Sequence, residues 1–283
     1  MFSLVSWNIQ YGKGVDGRID LGRIAETVYK DGLPDVLCLQ EVSRNYHSID
    51  ESSDQVKKLE SFFPDYESFF GSVHDRSGGK EKTRKQFGNL VLSRISPIQV
   101  LHHLLPSPAD TKVRFMSRQI AELIIPANTT DLRVMTTHLE FFSKMQQLAQ
   151  IKRIREIHEE ASCQFYNPGE DMPDTPFELV KRPENAVICG DFNFIPESKS
   201  YKKMTARFSN KNMDLVDAWR AHHKGSVHAP TCGIFDLKQW EKGPHCRDYF
   251  FITQSLAQRI FHISVNTETD GSDHQPIRLV LDV

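Results

Sequence analysis

Short apolar runs that stop abruptly at a polar side chain are the feature that most constrains how this chain can fold. The clearest run is Val187–Cys189, which is followed at once by Gly-Asp-Phe-Asn at positions 190–193. A short apolar run bounded by turn-forming residues is typical of a buried strand. Strand ends and the loops after them are where α/β enzymes place functional groups on a rigid scaffold. The sequence therefore predicts a strand at Ala186–Gly190 with chemistry at its end.

The same arrangement recurs in other parts of the chain. An apolar segment precedes Asn8, Glu41 and His138, and the pair Asp273 and His274 stands just before the apolar run Ile277–Leu281. These strand ends offer amide, carboxylate and imidazole groups. Oxygen ligands suit a hard divalent cation, and carboxylate with imidazole suits acid–base chemistry at a phosphate.

Length and composition indicate one soluble globular domain. The chain has 283 residues, of which 39% are hydrophobic and 25% are charged, so it can bury a large core. Residues 1–283 are predicted to form a single domain. The net charge of −2 excludes a strongly basic protein that binds nucleic acid over its whole surface. Any contact with DNA or RNA must then come from a local patch.

Cysteine usage and the N-terminal sequence bear on the compartment. Five cysteines without paired spacing favour a reducing environment over a disulfide-stabilised fold. The chain enters an apolar run directly after Met1, without the basic leader of a signal peptide. No apolar run approaches the ~18–20 residues of a membrane span. We therefore expect a cytoplasmic monomer without a membrane span.

Hydrophobic periodicity predicts few helices and many strands. Helices are predicted from an N-cap at Asp20 to Gly32, at Gln55–Phe63, and at Lys144–Glu160 with an apolar stripe of Met145, Leu148, Ile151, Ile154 and Ile157. Strands are predicted at Phe2–Trp7, Asp35–Gln40, Gly88–Ser93, Gln119–Ile125, Leu132–His138, Ala186–Gly190, Tyr249–Thr253, Ile260–Val265 and Ile277–Leu281. Segments Ser72–Gln86, Cys163–Asn185 and His222–Arg247 are predicted to be loops. The many strands favour two packed sheets with helices outside.

Six short motifs stand in a characteristic order along the chain. They are Ser6–Ile9, Leu39–Val42, Thr137–Leu139, Gly190–Asn193, Arg247–Phe251 and Ser272–His274. In this order they resemble the endonuclease/exonuclease/phosphatase superfamily, which includes pancreatic-type deoxyribonucleases, abasic-site endonucleases, neutral sphingomyelinases and inositol polyphosphate 5-phosphatases. The resemblance implies an α/β (α+β) fold, a four-layer α/β/β/α sandwich of two mainly antiparallel sheets flanked by helices. It also implies metal-dependent hydrolysis of phosphoester bonds.

The resemblance assigns a metal site to three of these residues. It places Mg²⁺, with Mn²⁺ as a possible substitute, on Glu41 and Asn8, and it gives Asp273 a contact to the metal or to water. Mg²⁺ prefers oxygen ligands and keeps several waters, so one or two carboxylates are enough to hold it. Asn8 is then either a neutral oxygen ligand or a residue that orients Glu41.

The remaining motifs imply the groups that carry out the reaction. Asp191 and Asn193 are two residues apart, and on an extended segment both side chains point the same way; a turn is the alternative. Asp191 is expected to accept a proton from the attacking water or to orient it, and Asn193 to donate to a phosphate oxygen. The resemblance makes His274 an acid–base or phosphate-stabilising group, Asp248 the carboxylate that orients a histidine, and His138 a contact to the scissile phosphate.

Three further features carry weaker signals. Arg118 resembles the family arginine at the start of a central strand, a phosphate contact, with a solvated arginine as the alternative. Asn89 is a candidate residue at the active edge. The segment His74–Lys85 carries five Lys or Arg against two acids, which suits either a clamp for a polyanion or a solvated surface loop.

The sequence leaves the substrate open. The basic segment favours DNA or RNA, whereas the near-neutral net charge favours a small molecule or a phospholipid headgroup. An inactive scaffold that binds a partner is a further alternative, although the metal glutamate, the Asp-x-Asn and the final histidine are all present. A zinc-stabilised module would use His228, Cys232, His245 and Cys246, but adjacent residues rarely reach one tetrahedral ion. We instead expect this region to be a loop packed down by Trp240.

Overall fold

The computed structural model describes residues 1–79, 83–224 and 226–283. Its strands are β1 (Phe2–Asn8), β2 (Val36–Arg44), β3 (Glu67–Ser77), β4 (Arg84–Ser93), β5 (Gln99–Leu105), β6 (Arg118–Ile125), β7 (Leu132–His138), β8 (Ala186–Asp191), β9 (Leu215–Asp217), β10 (Asp248–Thr253), β11 (Ile260–Val265) and β12 (Ile277–Leu281). Its helices are α1 (Leu21–Lys30), α2 (His47–Asp50), α3 (Gln55–Phe62), α4 (Lys144–Tyr166), α5 (Lys199–Met204) and α6 (Ala218–His222).

The strands form two six-stranded sheets. One has the order β11-β12-β1-β2-β4-β3 and the other β5-β6-β7-β8-β10-β9. Each sheet contains one parallel pair, β1 with β2 and β7 with β8, and its other pairs are antiparallel. Asn8, His138 and Asp191 end β1, β7 and β8, and Glu41 lies at the irregular stretch of β2 between Leu39 and Val42, so the topology brings together residues that are far apart in sequence.

Three apolar clusters define the four layers. The central cluster joins Leu4 and Cys38 of one sheet to Val134 and Phe250 of the other. A second cluster packs α1 and α3 on the outer face of the first sheet. A third packs α4 and α5 on the outer face of the second sheet. The predicted α/β/β/α sandwich is confirmed.

Helix α1 begins where the sequence predicts. The Asp20 carboxylate accepts hydrogen bonds from the backbone N–H groups of Gly22 and Arg23, which satisfies donors that have no partner within the helix. Leu21, Ile24, Ala25 and Val28 are buried on one face. Local capping and apolar periodicity are therefore sufficient to place this helix.

The predicted stripe of α4 is wrong over its first two turns. Ile151, Ile154 and Ile157 are buried, but Met145 is exposed and Leu148 is only half-buried. Their place facing the protein is taken by Gln146, Gln147 and Gln150. These turns cover the backbone of loops at the carboxyl ends of β7 and β8, where carbonyl and amide groups need hydrogen-bond partners more than apolar contacts.

The sequence also missed three strands, β3, β5 and β9. The prediction of a loop at Ser72–Gln86 is wrong, because β3 and β4 form a hairpin in which Ser77 pairs with Arg84; Lys80–Lys82 lie outside the described residues. The arms of this hairpin carry polar and charged side chains at the edge of the sheet, so no apolar run marks them. The predicted loop Cys163–Asn185 is irregular only from residue 167, because α4 continues to Tyr166, and the predicted loop His222–Arg247 begins with the last residue of α6 and is irregular over 226–247. Across the described ranges, no helix is both long and apolar enough for a membrane crossing.

Candidate active site

The ends of β1, β2 and β8 meet through Asn8. Its Nδ2 donates to Glu41 Oε1 at 3.0 Å and to Asp191 Oδ2 at 3.0 Å, although Asp191 lies 183 residues away in sequence. Its Oδ1 accepts a hydrogen bond from the backbone N–H of Gln10 at 3.1 Å. In this arrangement Asn8 holds the two carboxylates at a fixed separation, which corresponds to the orienting role.

Glu41 stands on a bulge rather than on regular strand. The register between β2 and β4 shifts between Leu39 and Val42, and Glu41 has a φ of 60°. Left-handed backbone at a residue other than glycine is strained, and bulges next to active sites re-aim side chains. Asn89 lies on β4 opposite this irregular stretch and lines a small cavity behind Arg118 and His138 rather than the main cleft.

A buried histidine–carboxylate pair faces Asp191. His274 Nδ1 is 2.8 Å from Asp248 Oδ2, and its Nε2 is 3.7 Å from Asp191 Oδ2. Thr231 Oγ1 donates to the same Asp248 oxygen at 2.5 Å. Burial by itself lowers the pKa of His274, but the carboxylates of Asp248 and Asp191 raise that pKa well above its usual range. His274 is therefore a charged imidazolium with its Nε2–H toward the cleft.

His138 has the opposite charge state. Its Nε2 is 3.5 Å from Asp191 Oδ2 and its Nδ1 is 3.8 Å from Glu41 Oε1. Burial and the neighbouring Arg118 guanidinium lower the pKa of His138 to about 3, so its imidazole is neutral. The two histidines on either side of Asp191 thus supply one charged and one neutral donor.

Glu41 and Asp273 form the acidic wall of the cleft. Burial and the charge of Asp273 raise the pKa of Glu41 to about 7. Burial also raises the pKa of Asp273, whose Oδ2 accepts a hydrogen bond from Gln239 Nε2 at 2.7 Å. Two buried carboxylates of like charge are hard oxygen donors that a divalent cation stabilises. These residues therefore fit Mg²⁺.

Asp191, Asp248 and His274 form a second group with ligand-type atoms within 4.8 Å of one another. The hydrogen bond between His274 Nδ1 and Asp248 Oδ2 uses one atom from each of two members and leaves His274 Nε2 and Asp248 Oδ1 available. A metal at His274 Nε2 would have to displace the proton that the raised pKa of this imidazole favours. The wall of Glu41 and Asp273 therefore fits a hard divalent cation better than this group does.

Asn193 corrects a sequence-based expectation. Strand β8 ends at Asp191, and Asn193 has a φ of 53°, so the two residues do not share an extended segment. The backbone N–H of Asn193 donates to Asp191 Oδ1 at 2.9 Å, and its Nδ2 donates to the carbonyl of Leu139 at 2.9 Å. The turn alternative is correct, because asparagine tolerates left-handed backbone and caps its own turn.

Arg118 begins β6 and is 5% exposed, which excludes the solvated alternative. Its Nε lies 3.5 Å from Glu140 Oε2, and neither its Nε nor its Nη1 has a hydrogen-bond partner. Buried donors are normally paired, and guanidinium groups suit phosphate oxygens. Arg118 also lines the cleft together with Asp191 and His274, so a phosphate there would meet it.

Sequence reasoning missed the residues that hold this side of the site. Glu140 Oε1 accepts from the backbone N–H of Phe142 at 2.8 Å, and the N–H of Glu140 donates to Gln150 Oε1 at 2.9 Å. Gln147 Nε2 donates to the carbonyls of Glu140 and Asn193, both at 2.9 Å. One amide of α4 thus ties together the loops after β7 and β8. Three glutamines on the inner face of the first turns of α4 were the available signal.

The four candidate zinc ligands have other partners. His228 Nε2 is 2.5 Å from Asp217 Oδ2, and Cys246 Sγ donates to the carbonyl of Asp248. Arg247 Nε donates to His245 Nε2 at 2.8 Å, the atom that also contacts Cys232 Sγ. Within the described residues these side chains do not form a metal-type group.

The cleft itself encloses about 500 Å³ and is lined by both acidic and basic side chains. Its acidic residues are Glu41, Asp191 and Asp273, and its basic and aromatic residues include Arg114, Arg118, Phe141, Phe142 and Trp240. Carboxylates suit a metal, and guanidinium groups beside aromatic rings suit an anion that carries an apolar group.

Comparison with known proteins identifies the family. Residues 5–274 match the Endonuclease/Exonuclease/phosphatase family. The chain belongs to this family. An exodeoxyribonuclease of Bacillus subtilis is 19% identical over 301 residues that span 99% of each chain.

Two solved structures share the fold over the full length of both chains. A mannosyl-6-phosphatase of Bacteroides thetaiotaomicron superimposes with a TM-score of 0.67 at 16% identity, with 100% of each chain covered. A 3′ phosphatase from Neisseria, bound to a product DNA hairpin, superimposes with a TM-score of 0.64 at 15% identity, again with 100% of each chain covered.

Proposed function

We propose that this protein is a Mg²⁺-dependent hydrolase of phosphodiester bonds in DNA or RNA. The observation that carries the proposal is the buried Asp248–His274 pair, which faces Asp191 across a cleft that also holds Arg118, whose Nε and Nη1 have no hydrogen-bond partner. A carboxylate beside a charged imidazole provides both a proton acceptor and a proton donor at one point. An unpaired buried arginine provides a place for the phosphate.

Asp191 and His274 have separate roles in the reaction. Asp191 accepts the proton of the attacking water at Oδ2. Burial raises the pKa of Asp191, but the charged His274 lowers it below the usual value and keeps the carboxylate ionised. The water oxygen forms a bond to phosphorus while the ester oxygen leaves. His274 holds a proton at Nε2 for a phosphate oxygen or for the leaving oxygen.

The other groups stabilise charge and position. Arg118 and the neutral His138 donate to phosphate oxygens as negative charge develops. Glu41 and Asp273, with Asn8 fixing Glu41, would hold Mg²⁺. When bound, this ion neutralises charge on the phosphate and on the leaving oxygen.

The test is nicking of supercoiled plasmid in Mg²⁺ by the wild type beside Asp191→Asn and His274→Gln. We expect nicking by the wild type, its loss on chelation, and its loss in both variants. Folding of the variants is checked by their unfolding midpoints. Absence of Mg²⁺-dependent cleavage of plasmid, linear duplex and single-stranded DNA and RNA by folded wild type would overturn the nuclease proposal.

A second candidate is a phosphatase or phosphodiesterase for a small molecule. It is favoured by the net charge of −2 and by a cleft of about 500 Å³, which is the size of a site for a small ligand. Hydrolysis of nucleotide, sugar or inositol phosphates with nucleic acid left intact would identify this alternative.

A further inference from the structure

Two phenylalanines expose their rings beside the phosphate-binding arginine. Phe141 is 44% exposed and Phe142 is 43% exposed, and both follow Glu140 in the loop between β7 and α4. Their ring centroids lie 5.0 Å apart with planes at 83°, so they present two differently oriented apolar surfaces. Adjacent exposed aromatic rings in a cleft mark a binding site more often than a scattered surface residue does.

These rings are fixed in place by their neighbours. The Arg114 guanidinium carbon lies 4.5 Å from the centre of the Phe142 ring. The Arg247 guanidinium carbon lies 5.1 Å from the centre of Phe141 and 4.7 Å from that of Trp240. Cation–π contacts of this kind hold rings at defined angles, and the backbone N–H of Phe142 is held by Glu140. We call Phe141, Phe142 and Trp240 the aromatic wall.

The aromatic wall adjoins the reacting groups. The Trp240 ring centroid is 5.9 Å from that of His274 and 6.1 Å from that of Phe141. All three rings line the same cleft as Arg118 and Asp191. A group attached to a phosphate at Arg118 would therefore meet the aromatic wall.

We infer that the aromatic wall is a subsite for a planar ring in the ester group of the substrate. Flat π systems stack on aromatic side chains and on guanidinium planes, largely independent of their hydrogen-bonding pattern. A planar ring joined to an anion is the chemistry that uses both the wall and Arg118. A nucleobase of the nucleotide that carries the phosphate is the source favoured here, and an aryl ester shares the same chemistry. This inference rests on the proposed function, since it places the phosphate at Arg118.

Calorimetric titration of three ligands tests the subsite without turnover. Thymidine 5′-monophosphate, deoxyribose 5-phosphate and phenyl phosphate are titrated into the wild type in parallel, with release of inorganic phosphate monitored. We expect the nucleotide to bind roughly 5- to 150-fold tighter than the sugar phosphate, the range that base–aromatic stacking provides. Equal affinities would overturn the subsite. Phenyl phosphate binding as tightly as the nucleotide would support the subsite and identify aryl esters as its source.

Matched variants show whether the wall is responsible. Phe142→Leu keeps an apolar side chain but removes the flat ring, and it is expected to lose most of the preference for the nucleotide while its affinity for deoxyribose 5-phosphate stays unchanged. Phe261→Leu is the control, because Phe261 is 65% exposed on β11 and outside the cleft. If Phe142→Leu keeps the full preference for the nucleotide over deoxyribose 5-phosphate, with an unchanged unfolding midpoint, the aromatic wall is not the subsite.

Kinetics separates this inference from the proposed function. The 4-nitrophenyl esters of thymidine 5′-phosphate and of methyl phosphate share a leaving group and differ in the other ester group. If both esters are hydrolysed with Mg²⁺ but the nucleotide and the sugar phosphate bind equally well, the proposed hydrolase activity is supported and the subsite is overturned. Hydrolysis of neither ester, with nucleotide binding that still depends on Phe142, would overturn the diesterase and support the subsite.

Discussion

Strands β6 and β7 contribute to two buried groups of charges that differ in how completely they are paired. The catalytic cluster comprises Glu41, Arg118, His138, Asp191, Asp248, Asp273 and His274. The ion network comprises His103, Glu122, Arg133, His158 and Arg182. In the catalytic cluster, Arg118 Nε, Arg118 Nη1 and Asp248 Oδ1 are buried without hydrogen-bond partners. In the part of the chain that the structure describes, the ion network has no such atom.

The pairing inside the ion network is dense. Arg182 donates three hydrogen bonds to Glu122, at 3.2 Å from Nε and at 3.0 and 2.7 Å from Nη2, and His103 Nε2 lies 2.7 Å from the same carboxylate. Arg133 Nε donates to the carbonyl of Pro183 at 2.7 Å, and its Nη2 is 2.6 Å from His158 Nδ1. A buried charge is tolerated when its partners surround it. The ion network is thus stable as it stands, whereas the unpartnered atoms of the catalytic cluster are available to bind a ligand.

The largest expected effect is on catalysis. His274→Gln removes the imidazolium and is expected to lower kcat/KM by roughly 10²- to 10⁴-fold, the contribution of a positioned acid or base. Its unfolding midpoint in urea should fall less than that of Glu122→Gln, because Asp248 keeps the hydrogen bond from Thr231. A loss of activity below tenfold would show that the Asp248–His274 pair is structural.

The reverse result is expected in the ion network. Glu122→Gln keeps the shape but leaves Arg133 and Arg182 uncompensated, and it is expected to cost about 3–5 kcal/mol of stability, as for other broken buried ion pairs. Urea unfolding measures this cost. The folded Glu122→Gln variant is expected to be fully active. Equal losses of stability in Glu122→Gln and His274→Gln would show that the ion network and the catalytic cluster do not differ in their contribution to stability.

The same carboxylate predicts a pH dependence of stability. Burial raises the pKa of Glu122, but His103, Arg133 and Arg182 outweigh it and lower that pKa to about 2. Because the folded pKa lies below the unfolded one, near 4.5, this stabilisation is present above pH 4.5 and is lost as the pH falls toward 2. The wild type should therefore lose stability more steeply than Glu122→Gln between pH 4.5 and 2. Parallel curves would contradict the ionised state of Glu122.

Metal binding gives a smaller effect confined to the catalytic cluster. A ligand that binds only the folded state at one hundred times its Kd adds about 2.7 kcal/mol of stability. Mg²⁺ is expected to raise the unfolding midpoint of the wild type and of Glu122→Gln, but not that of Glu41→Gln. Thermal unfolding with and without Mg²⁺ measures this. An equal rise in Glu41→Gln would place the metal on other residues.

The smallest effect is expected at Glu140, which lies beside Arg118 without touching the reacting atoms. Glu140→Gln keeps the hydrogen bond from the backbone N–H of Phe142 but removes the charge near Arg118. Loss of a charge-assisted interaction of about 1.5 kcal/mol is expected to lower kcat/KM roughly tenfold. Because the phosphate is held in both ground and transition states, we expect the change mainly in KM. A change confined to kcat would assign Glu140 a direct role in the reaction.

The sequence by itself determined the elements whose signal is local. The N-cap at Asp20 and the apolar face of α1 place that helix, since capping and periodicity act within a few residues. The apolar runs before Asn8, His138 and Asp191 are buried between two layers and therefore show as strands. The six family motifs predicted the α/β/β/α fold, because they identify the family. Polar edge strands such as β3 bury too little apolar surface to be seen in the same way.

The tertiary structure alone decided which charges meet and which stay unpaired. Asp248 and His274 are 26 residues apart and form a pair because β10 and the loop before β12 converge. The motif resemblance singles out Arg118 as a phosphate contact, but residue type alone does not show that the buried Arg133 is fully paired and the buried Arg118 is not. The sequence specifies residue types and local conformations. Whether a buried group finds a partner depends on distances of a few ångströms between elements that only the packed sheets set.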